Sequence, residues 1–377
     1  MIVNAEELRE SMARGATLPA EWYSDPAILR LEQERIFRRQ WQYAGRADQV
    51  AEPGDWFSCF AGTIPLVVTR DREGALNAFV NVCRHRGHVI ASGAGHRETL
   101  QCAYHAWTYG LDGKLRVAPR SEREVDFDRD AFSLLPVRIE AWGPLLFVNP
   151  DVDASPLSEA LGKLPEHVKA NGVEIDRLRF RERREWHIAA DWKIAMENYL
   201  ECYHCPVAHP GFSKVIDVDP DSYRLIRDGL VSSQFGSPRL AALNGDAHLP
   251  YDARGEIAQA QYHLLWPTTT INVEAGRGNL SVDVTRPNGP GRSIGTTDYF
   301  FYDEVPDYTA RAMMEFATQV GREDSGLVEA VQLGLDSGMV PQGRLLLSSE
   351  HLIQHFQGLV FEALTSADVE GLPERPS

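Results

Sequence analysis

The chain has 377 residues, 43% of them hydrophobic, and a formal net charge of −16. This length exceeds what one simple core usually holds, so we expect two domains. The negative charge argues against nucleic acid as a partner, because phosphate contacts need a basic surface. The chain has no apolar run of membrane-spanning length and its N-terminus does not resemble a signal peptide, so we expect a cytoplasmic protein with no membrane partner.

An N-terminal helical segment is predicted before a β-rich region. Asp25-Pro26 is typical of a helix start, followed by helically spaced apolar residues up to about residue 40. From residue 41 to about 150, short β-rich runs alternate with turn signals, which predicts a small all-β domain. The clearest predicted strands are 65–70, 76–82 and 145–149.

The second half mixes strands and helices. A strand over 180–190 is predicted to lead into a helix that carries Glu197 and Glu201. Pro306 opens a long helical pattern that Gly338 closes. Further antiparallel strands are predicted at 264–273, 279–285 and 293–302. Strands followed by helices favour an α+β domain over a doubly wound parallel sheet.

The chain is organised around residues 197–210, which contain two histidines and two carboxylates. On a helix, Glu197, Glu201 and His204 would share one face. A bend at Pro206 would return His209 to His204, and two imidazoles converging in this way indicate a metal site that needs an oxygen ligand. The alternative is an ordinary polar helix end.

The five cysteines allow several interpretations. They are Cys59, Cys83, Cys102, Cys202 and Cys205. An odd number in a chain without a secretion signal argues against a disulfide framework, so ligands, catalytic groups or buried small residues are expected. Cys202 and Cys205 form a CxxC pair that alone suggests zinc or redox chemistry.

A second metal signature lies in the β-rich region. Sixteen residues separate Cys83-x-His85 from Cys102-x-x-His105. These residue types suit a structural zinc, and they equally suit a [2Fe–2S] cluster in which two histidines replace two cysteines on one iron. The flanks favour the cluster, because Gly87 and Gly110 permit tight loops, and Tyr104 and Trp107 are suited to shield it from water.

Together, the two motifs resemble the catalytic α subunits of Rieske non-haem iron oxygenases. The resemblance implies a Rieske [2Fe–2S] domain at 41–150, followed at 151–377 by a helix-grip-like catalytic domain with an antiparallel sheet. Residues 1–40 would pack on the catalytic domain. Within the Rieske domain, Cys83 and Cys102 would bind one iron and His85 and His105 the other.

The resemblance also implies a mononuclear Fe(II) held by two histidines and one carboxylate. His204 and His209 match the histidines of the family's motif. The acidic segment from Arg322 to Glu329 resembles the part that supplies the carboxylate, and we choose Asp324 over Glu323 as the ligand. Without the resemblance, Asp324 would be interpreted as a solvated acid on an amphipathic helix.

In this family the subunits form a head-to-tail trimer, so the cluster of one chain lies near the iron of the next. Glu201 occupies the position of a carboxylate that links an iron-ligand histidine, here His204, to a cluster histidine of the neighbour, here His105. Family members that act on quaternary amines have glutamate at this position, and Glu201 resembles theirs. Glu197 is predicted as either an outer partner of the iron ligands or a structural acid.

The implied function is a terminal oxygenase component that uses O₂ and electrons from a separate flavin or iron–sulfur reductase. Its substrate would be a small organic molecule, and a quaternary amine would undergo N-demethylation or C–N cleavage. Aromatic-ring hydroxylation is the alternative within the same chemistry. A non-catalytic Rieske electron carrier and a zinc-stabilised binding protein are alternatives of other classes.

Two groups of residues near the 197–210 motif, a cysteine pair and several aromatic residues, have less specific predicted roles. Cys202 and Cys205 would pack around the metal without a redox role. Several aromatic residues would form either a cage for an ammonium group or ordinary core. These are Trp192, Tyr199, Tyr203, Phe212 and Trp266.

Overall fold

The computed structural model describes residues 5–244 and 249–366. Within these residues, no helix combines the length and the apolar character needed to cross a membrane. The helices are α1 Ala5–Ala13, α2 Pro26–Glu32, α3 Leu157–Leu161, α4 Leu164–Ala170, α5 Trp192–Tyr199, α6 Cys205–Ala208, α7 Phe212–Val215, α8 Leu240–Leu243, α9 Asp307–Asp336 and α10 His351–Thr365.

The first half of the chain forms an antiparallel seven-stranded sheet and a small three-stranded sheet. The strands are β1 Gln42–Arg46, β2 Asp55–Ala61, β3 Ile64–Arg70, β4 Leu76–Val80, β5 Ala94–His96, β6 Thr99–Gln101, β7 Thr108–Gly110, β8 Leu115–Val117, β9 Pro136–Trp142 and β10 Leu145–Asn149. The larger sheet has the order β1-β10-β9-β4-β3-β2-β5, and the smaller has the order β6-β7-β8. The two cysteine–histidine loops leave β4 and connect β6 to β7, so the two sheets position them together.

The second half forms another antiparallel seven-stranded sheet. Its strands are β11 Arg179–Ile188, β12 Arg224–Asp228, β13 Val231–Gly236, β14 Ala260–Leu265, β15 Thr269–Val273, β16 Asn279–Pro287 and β17 Ser293–Phe301. The order is β11-β17-β16-β15-β14-β13-β12. The long helix α9 contacts this sheet at β11.

Apolar and polar side chains alternate along the strands, and this alternation gives the sheet one apolar face and one polar face. Because side chains alternate between the two faces of a strand, Leu280 and Val282 of β16 share one face, while Ser281 and Asp283 share the other. The apolar face belongs to a core that also contains Tyr43 of the first sheet. The polar face lines a cavity.

The N-terminal segment packs on the second half of the chain. Ile36 and Phe37 are fully buried in a core with Trp192 of α5 and Phe356 of α10. The carboxylate of Glu32 is buried beside them and accepts a hydrogen bond from the Trp192 indole at 2.8 Å. The segment thereby fixes α5, the helix that precedes the two histidines of the second motif.

The α+β class predicted from the sequence is confirmed. The strands predicted at 65–70 and 145–149, the helix start at Pro26 and the long helix after Pro306 are present. The single strand predicted over 264–273 is wrong, because a turn at Pro267 divides it into β14 and β15. Nearly every residue from 264 to 273 is buried, so no exposed residue distinguishes the turn from the strands on either side of it. The domain boundaries at 40 and 150 stay predictions.

Candidate metal centres and substrate cavity

The two cysteine–histidine loops have matching backbone turns. The Cys83 carbonyl accepts a hydrogen bond from the Gly87 N–H at 3.0 Å, and the Cys102 carbonyl accepts one from the Ala106 N–H, also at 3.0 Å. Gly87 and Ala106 both have a left-handed backbone, with φ of 74° and 58°. Gly110, which we expected to permit the second tight loop, instead ends β7, and Ala106 takes the left-handed position.

The side chains of these loops meet at one end of the sheet. Cys83 and Cys102 are each 2% exposed, and the rings of His85 and His105 lie 4.6 Å apart. The His105 Nδ1 atom is buried without a hydrogen-bond partner in the described residues. A buried nitrogen without a partner is costly unless a ligand satisfies it. Burial and the nearby His85 lower the pKa of His105, which favours the neutral imidazole that binds metal. The four side chains therefore fit a cluster with two thiolate and two imidazole ligands.

Aromatic groups surround this centre on one side. Trp107 is buried and stacks on His85 at 5.0 Å between ring centroids. The Tyr109 hydroxyl lies 3.4 Å from the Cys83 sulfur and is placed to donate to a thiolate there. Tyr104 is 51% exposed, so it shields the site less than we expected. His85 is exposed as well, which leaves the histidine edge of the centre at the protein surface.

The second motif brings together His204, His209 and Asp324. The Nε2 atoms of the two histidines are 3.1 Å apart, and the His209 Nε2 atom lies 2.9 Å from Asp324 Oδ1. The distance from His204 Nε2 to the same oxygen is 3.5 Å. One ligand atom of each residue therefore lies within 4.8 Å of the others. Two imidazoles and one carboxylate in this arrangement fit a mononuclear iron that keeps open coordination positions.

The far nitrogens of both histidines are held by glutamates. The Nδ1 atom of His204 is bonded to Glu201, and that of His209 lies 2.7 Å from Glu323 Oε2. Such outer partners fix the tautomer and the orientation of a ligand imidazole. Glu323 thus lies on the side of His209 away from the converging atoms. This arrangement favours Asp324 over Glu323 as the carboxylate ligand.

The charges of the three converging residues are coupled. Burial lowers the pKa of His204, but its hydrogen bonds with Asp324 and Glu201 outweigh this effect and raise it to about 9. Burial raises the pKa of Asp324, yet the hydrogen bonds from His204 and His209 lower it overall. The carboxylate is thus in its ligand form, whereas His204 must lose its proton when a cation binds.

The chain around Glu201 departs from the predicted helix. Helix α5 ends at Tyr199, and Glu201 lies in the loop before α6. The Glu201 carboxylate accepts hydrogen bonds from the backbone N–H groups of Tyr203 and His204. Such side-chain bonds compete with helical ones. The bend therefore comes before Pro206, and our placement of Glu197, Glu201 and His204 on one helical face was wrong.

Two further expectations for this segment change. Cys202 and Cys205 are buried as predicted, but they are joined by a disulfide, so our expectation against disulfides was wrong for this pair. Their three-residue separation closes only a small local loop. Glu197 accepts hydrogen bonds from Tyr23 at 2.7 Å and from Gln357 at 3.0 Å. It therefore acts as a structural acid that links α5 to the N-terminal segment and α10.

A cavity of about 760 Å³ lies between the polar face of the second sheet and α9, and His204, His209 and Asp324 line it. Of the five aromatic residues considered from the sequence, Tyr199 and Phe212 line this cavity. Trp192 and Trp266 are buried in a different core, and Tyr203 is 63% exposed. Sequence reasoning missed other lining residues, namely Tyr223, Tyr262, Glu274, Asp283 and Phe316. Of these, only Asp283 has a signal in the sequence, because polar and apolar residues alternate along β16.

Comparisons with known proteins agree with this geometry. The family "Rieske [2Fe-2S] domain" matches residues 40–137, and the family "Ring hydroxylating alpha subunit (catalytic domain)" matches residues 175–366. The carnitine monooxygenase oxygenase subunit of Escherichia coli K12 is 33% identical over 355 residues, covering 91% of this chain and 92% of its own. The chloroplastic choline monooxygenase of Spinacia oleracea is 31% identical, covering 90% of this chain and 76% of its own.

Solved structures give the same result. The quaternary ammonium Rieske monooxygenase CntA in complex with L-carnitine superposes with a TM-score of 0.79 at 29% identity, covering 94% of this chain and 97% of its own. Naphthalene 1,2-dioxygenase from Rhodococcus sp. shares the fold, with a TM-score of 0.79 at 17% identity over 98% of this chain. The chain therefore belongs to the Rieske non-haem iron oxygenases, enzymes that use a Rieske [2Fe–2S] cluster, a mononuclear iron, O₂ and electrons from a reductase.

Proposed function

We propose that this chain is the terminal oxygenase component that hydroxylates a quaternary amine at a carbon next to the nitrogen. The observation that carries the proposal is the charge of the cavity beside His204 and Asp324. Seven carboxylates line the cavity, against two guanidinium groups, Arg184 and Arg322. The relatives named for carnitine and choline support a cationic substrate. Hydroxylation next to the nitrogen gives a hemiaminal, which cleaves to an amine and an aldehyde without further catalysis.

In this proposal His204, His209 and Asp324 hold Fe(II), and Cys83, His85, Cys102 and His105 hold the Rieske cluster. When bound, the iron supplies open positions for O₂, and the cluster supplies electrons. The electrons come from a separate reductase with flavin or iron–sulfur groups. Within the chain, Glu201 and Glu323 orient the ligand imidazoles, and the cavity excludes water and positions the substrate.

We also propose a head-to-tail homotrimer in which Glu201 reaches a neighbouring copy. A carboxylate offers about four lone-pair sites, and three donors of its own loop already bond to Glu201, two from His204 and one from Tyr203. One site therefore remains for His105 of a neighbour. The surface position of the His85 and His105 edge supports this contact, because a neighbour can cover it.

The proposed function is tested by metal analysis and a substrate screen. We expect about three irons and two acid-labile sulfides per chain. The screen compares L-carnitine, choline and glycine betaine with benzoate and naphthalene, and follows O₂ uptake with a generic reductase. Uptake coupled to release of both an amine and an aldehyde from a quaternary amine supports the proposal. Coupled uptake with the aromatic compounds alone would replace it with ring hydroxylation.

The first prediction concerns Glu201→Gln. This variant keeps a hydrogen-bonding side chain of the same size but loses the negative charge. We expect it to retain both metal centres and to slow single-turnover oxidation of the substrate by about tenfold to 100-fold, the usual loss for outer partners of metal ligands. Iron analysis and rapid-quench product formation give the two measurements. Oxidation at the wild-type rate would exclude the linking role of Glu201.

A further inference from the structure

Glu274 is one of three carboxylates of the cavity, with Glu185 and Asp283, that form no ion pair among the described residues. Glu274 directly follows β15 and lines the cavity. Glu185 is exposed to solvent, and the carboxylates of Asp283 and Glu315 are bonded within the protein. Asp283 accepts hydrogen bonds from Thr270 at 2.9 Å and from Asn272 at 2.6 Å, and Glu315 pairs with Arg184 at 3.0 Å. No described residue forms an ion pair with Glu274.

Two tyrosines hold Glu274 in a defined orientation. The Tyr262 hydroxyl donates to Oε2 at 2.9 Å, and the Tyr251 hydroxyl donates to the same oxygen at 3.3 Å. The other oxygen, Oε1, has no hydrogen-bond partner among the described side chains. Burial raises the pKa of Glu274 to about 7, and the two hydroxyls partly oppose this effect. A cation placed against Oε1 would favour the ionised form.

Aromatic rings continue from Glu274 towards the iron ligands. The ring of Phe212 lies 5.8 Å from that of Tyr262 and 6.3 Å from that of Phe316. Phe212 follows His209 by three residues, and Phe316 precedes Asp324 on α9. Tyr223 lines the same cavity as Glu274 and Glu201. Burial raises the pKa of Tyr223, and the charges of these two carboxylates raise it further.

We infer that Glu274 is the counter-ion for the alkylated ammonium group of the substrate, with Tyr223, Tyr262, Phe212 and Phe316 forming its aromatic wall. A quaternary nitrogen has no N–H group, so a protein can recognise it only by charge and by the faces of aromatic rings. Glu274 supplies the charge at a position that the rings connect to His209 and Asp324. The inference rests on the proposed function, because it concerns the same cavity and the same class of substrate.

The test compares cationic probes with a neutral analogue of the same shape. Binding of choline, glycine betaine and L-carnitine to the iron-loaded enzyme is measured by titration calorimetry, together with 3,3-dimethyl-1-butanol, in which carbon replaces the nitrogen of choline. We expect Glu274→Gln to weaken binding of the cationic probes at least tenfold and to change binding of the neutral analogue less than threefold. Equal weakening of both classes would overturn the inference.

Two further variants separate charge from structure. Glu315→Gln makes the same change at another carboxylate that lines the cavity, and we expect it to alter binding of the cationic probes less than threefold. Glu274→Asp keeps the charge and should retain most of the binding that Glu274→Gln loses. If Glu315→Gln weakens binding as much as Glu274→Gln, or if Glu274→Asp binds no better, the assignment of Glu274 is wrong.

The outcomes for wild-type enzyme distinguish this inference from the proposed function. If the wild-type enzyme binds none of the cationic probes and oxidises only aromatic compounds, the proposed function fails and the inference fails with it. If it binds and oxidises a quaternary amine but Glu274→Gln binds that compound as tightly, the proposed function stands and the role of Glu274 alone is excluded.

Discussion

Two adjacent carboxylates illustrate how position decides chemistry at the scale of single residues. Asp324 and Glu323 are consecutive on α9, and neighbouring residues on a helix point in directions about 100° apart. Asp324 reaches the Nε2 atoms of both histidines, whereas Glu323 bonds the opposite nitrogen of His209. The acidic segment could be recognised from the sequence. The choice between the two acids needs the direction of each side chain.

We therefore predict different losses of iron for two variants. Asp324→Asn removes the negatively charged ligand and should lower iron from about three to about two per chain, with the cluster spectrum unchanged. Glu323→Gln should keep the third iron when iron is in excess, but bind it about tenfold to 100-fold more weakly. Iron and sulfide analysis before and after dialysis measures both. The reverse result would identify Glu323 as the ligand.

Glu197 carries a second prediction at this scale, which concerns stability. Burial raises its pKa to about 7, from an ordinary value of 4.5, although Tyr23 and Gln357 donate hydrogen bonds to it. The folded protein therefore keeps this proton up to about pH 7, while the unfolded chain releases it near pH 4.5. Because the folded state binds more protons in this interval, the contribution of Glu197 to stability falls as the pH rises through it.

Glu197→Gln removes this titration. Relative to wild type, we expect the free energy of unfolding of the variant to gain about 2 kcal/mol between pH 5.5 and pH 8. Chemical denaturation at the two pH values gives the measurement, with Glu21→Gln, at an exposed position, as the control. A difference that does not change with pH would show that Glu197 titrates alike in the folded and unfolded states.

At the scale of elements, the sequence predicted which side chains converge but not the backbone that carries them. Spacing and residue type singled out His204 and His209 as candidates, and the resemblance to the family was needed to prefer a metal site over an ordinary polar helix end. The path of the chain between them depends on the Glu201 carboxylate bonding to backbone N–H groups. Likewise, Glu274 enters the cavity only through the pairing of β14 with β15, which the sequence pattern had merged into one strand.

Helix α5 is tied to α2 by a buried ionic group. Lys193 is fully buried, pairs with Glu32, and lies 2.7 Å from Asp191 Oδ1. Lys193→Met would leave two buried carboxylates without a counter-ion, so we expect it to lower the free energy of unfolding by about 3–5 kcal/mol. Arg9→Met removes an exposed partner of Glu362 and should cost less than about 1 kcal/mol. Similar denaturation midpoints for both variants would contradict this prediction.

At the scale of the whole molecule, the two candidate metal sites differ in their exposure to solvent. The cysteine side of the cluster site is buried, while His85 is exposed and His105 is partly exposed. The proposed iron ligands His204, His209 and Asp324 instead line an internal cavity. If electrons leave the proposed cluster through the exposed histidine edge, another surface must receive them. In the proposed head-to-tail trimer, that surface is the Glu201 loop of the next copy.

Mixed trimers test this arrangement. His105→Ala removes a cluster ligand and Asp324→Asn an iron ligand, so each variant should be inactive alone. In a head-to-tail ring with both kinds of chain, one interface joins an intact cluster to an intact iron site, so we expect about one third of wild-type activity. Adding Glu201→Gln to the His105→Ala chain should lower this activity further, by about tenfold to 100-fold, whereas adding it to the Asp324→Asn chain should not, because only the former carries the working iron. Inactive mixed trimers would instead show that electrons travel within one chain.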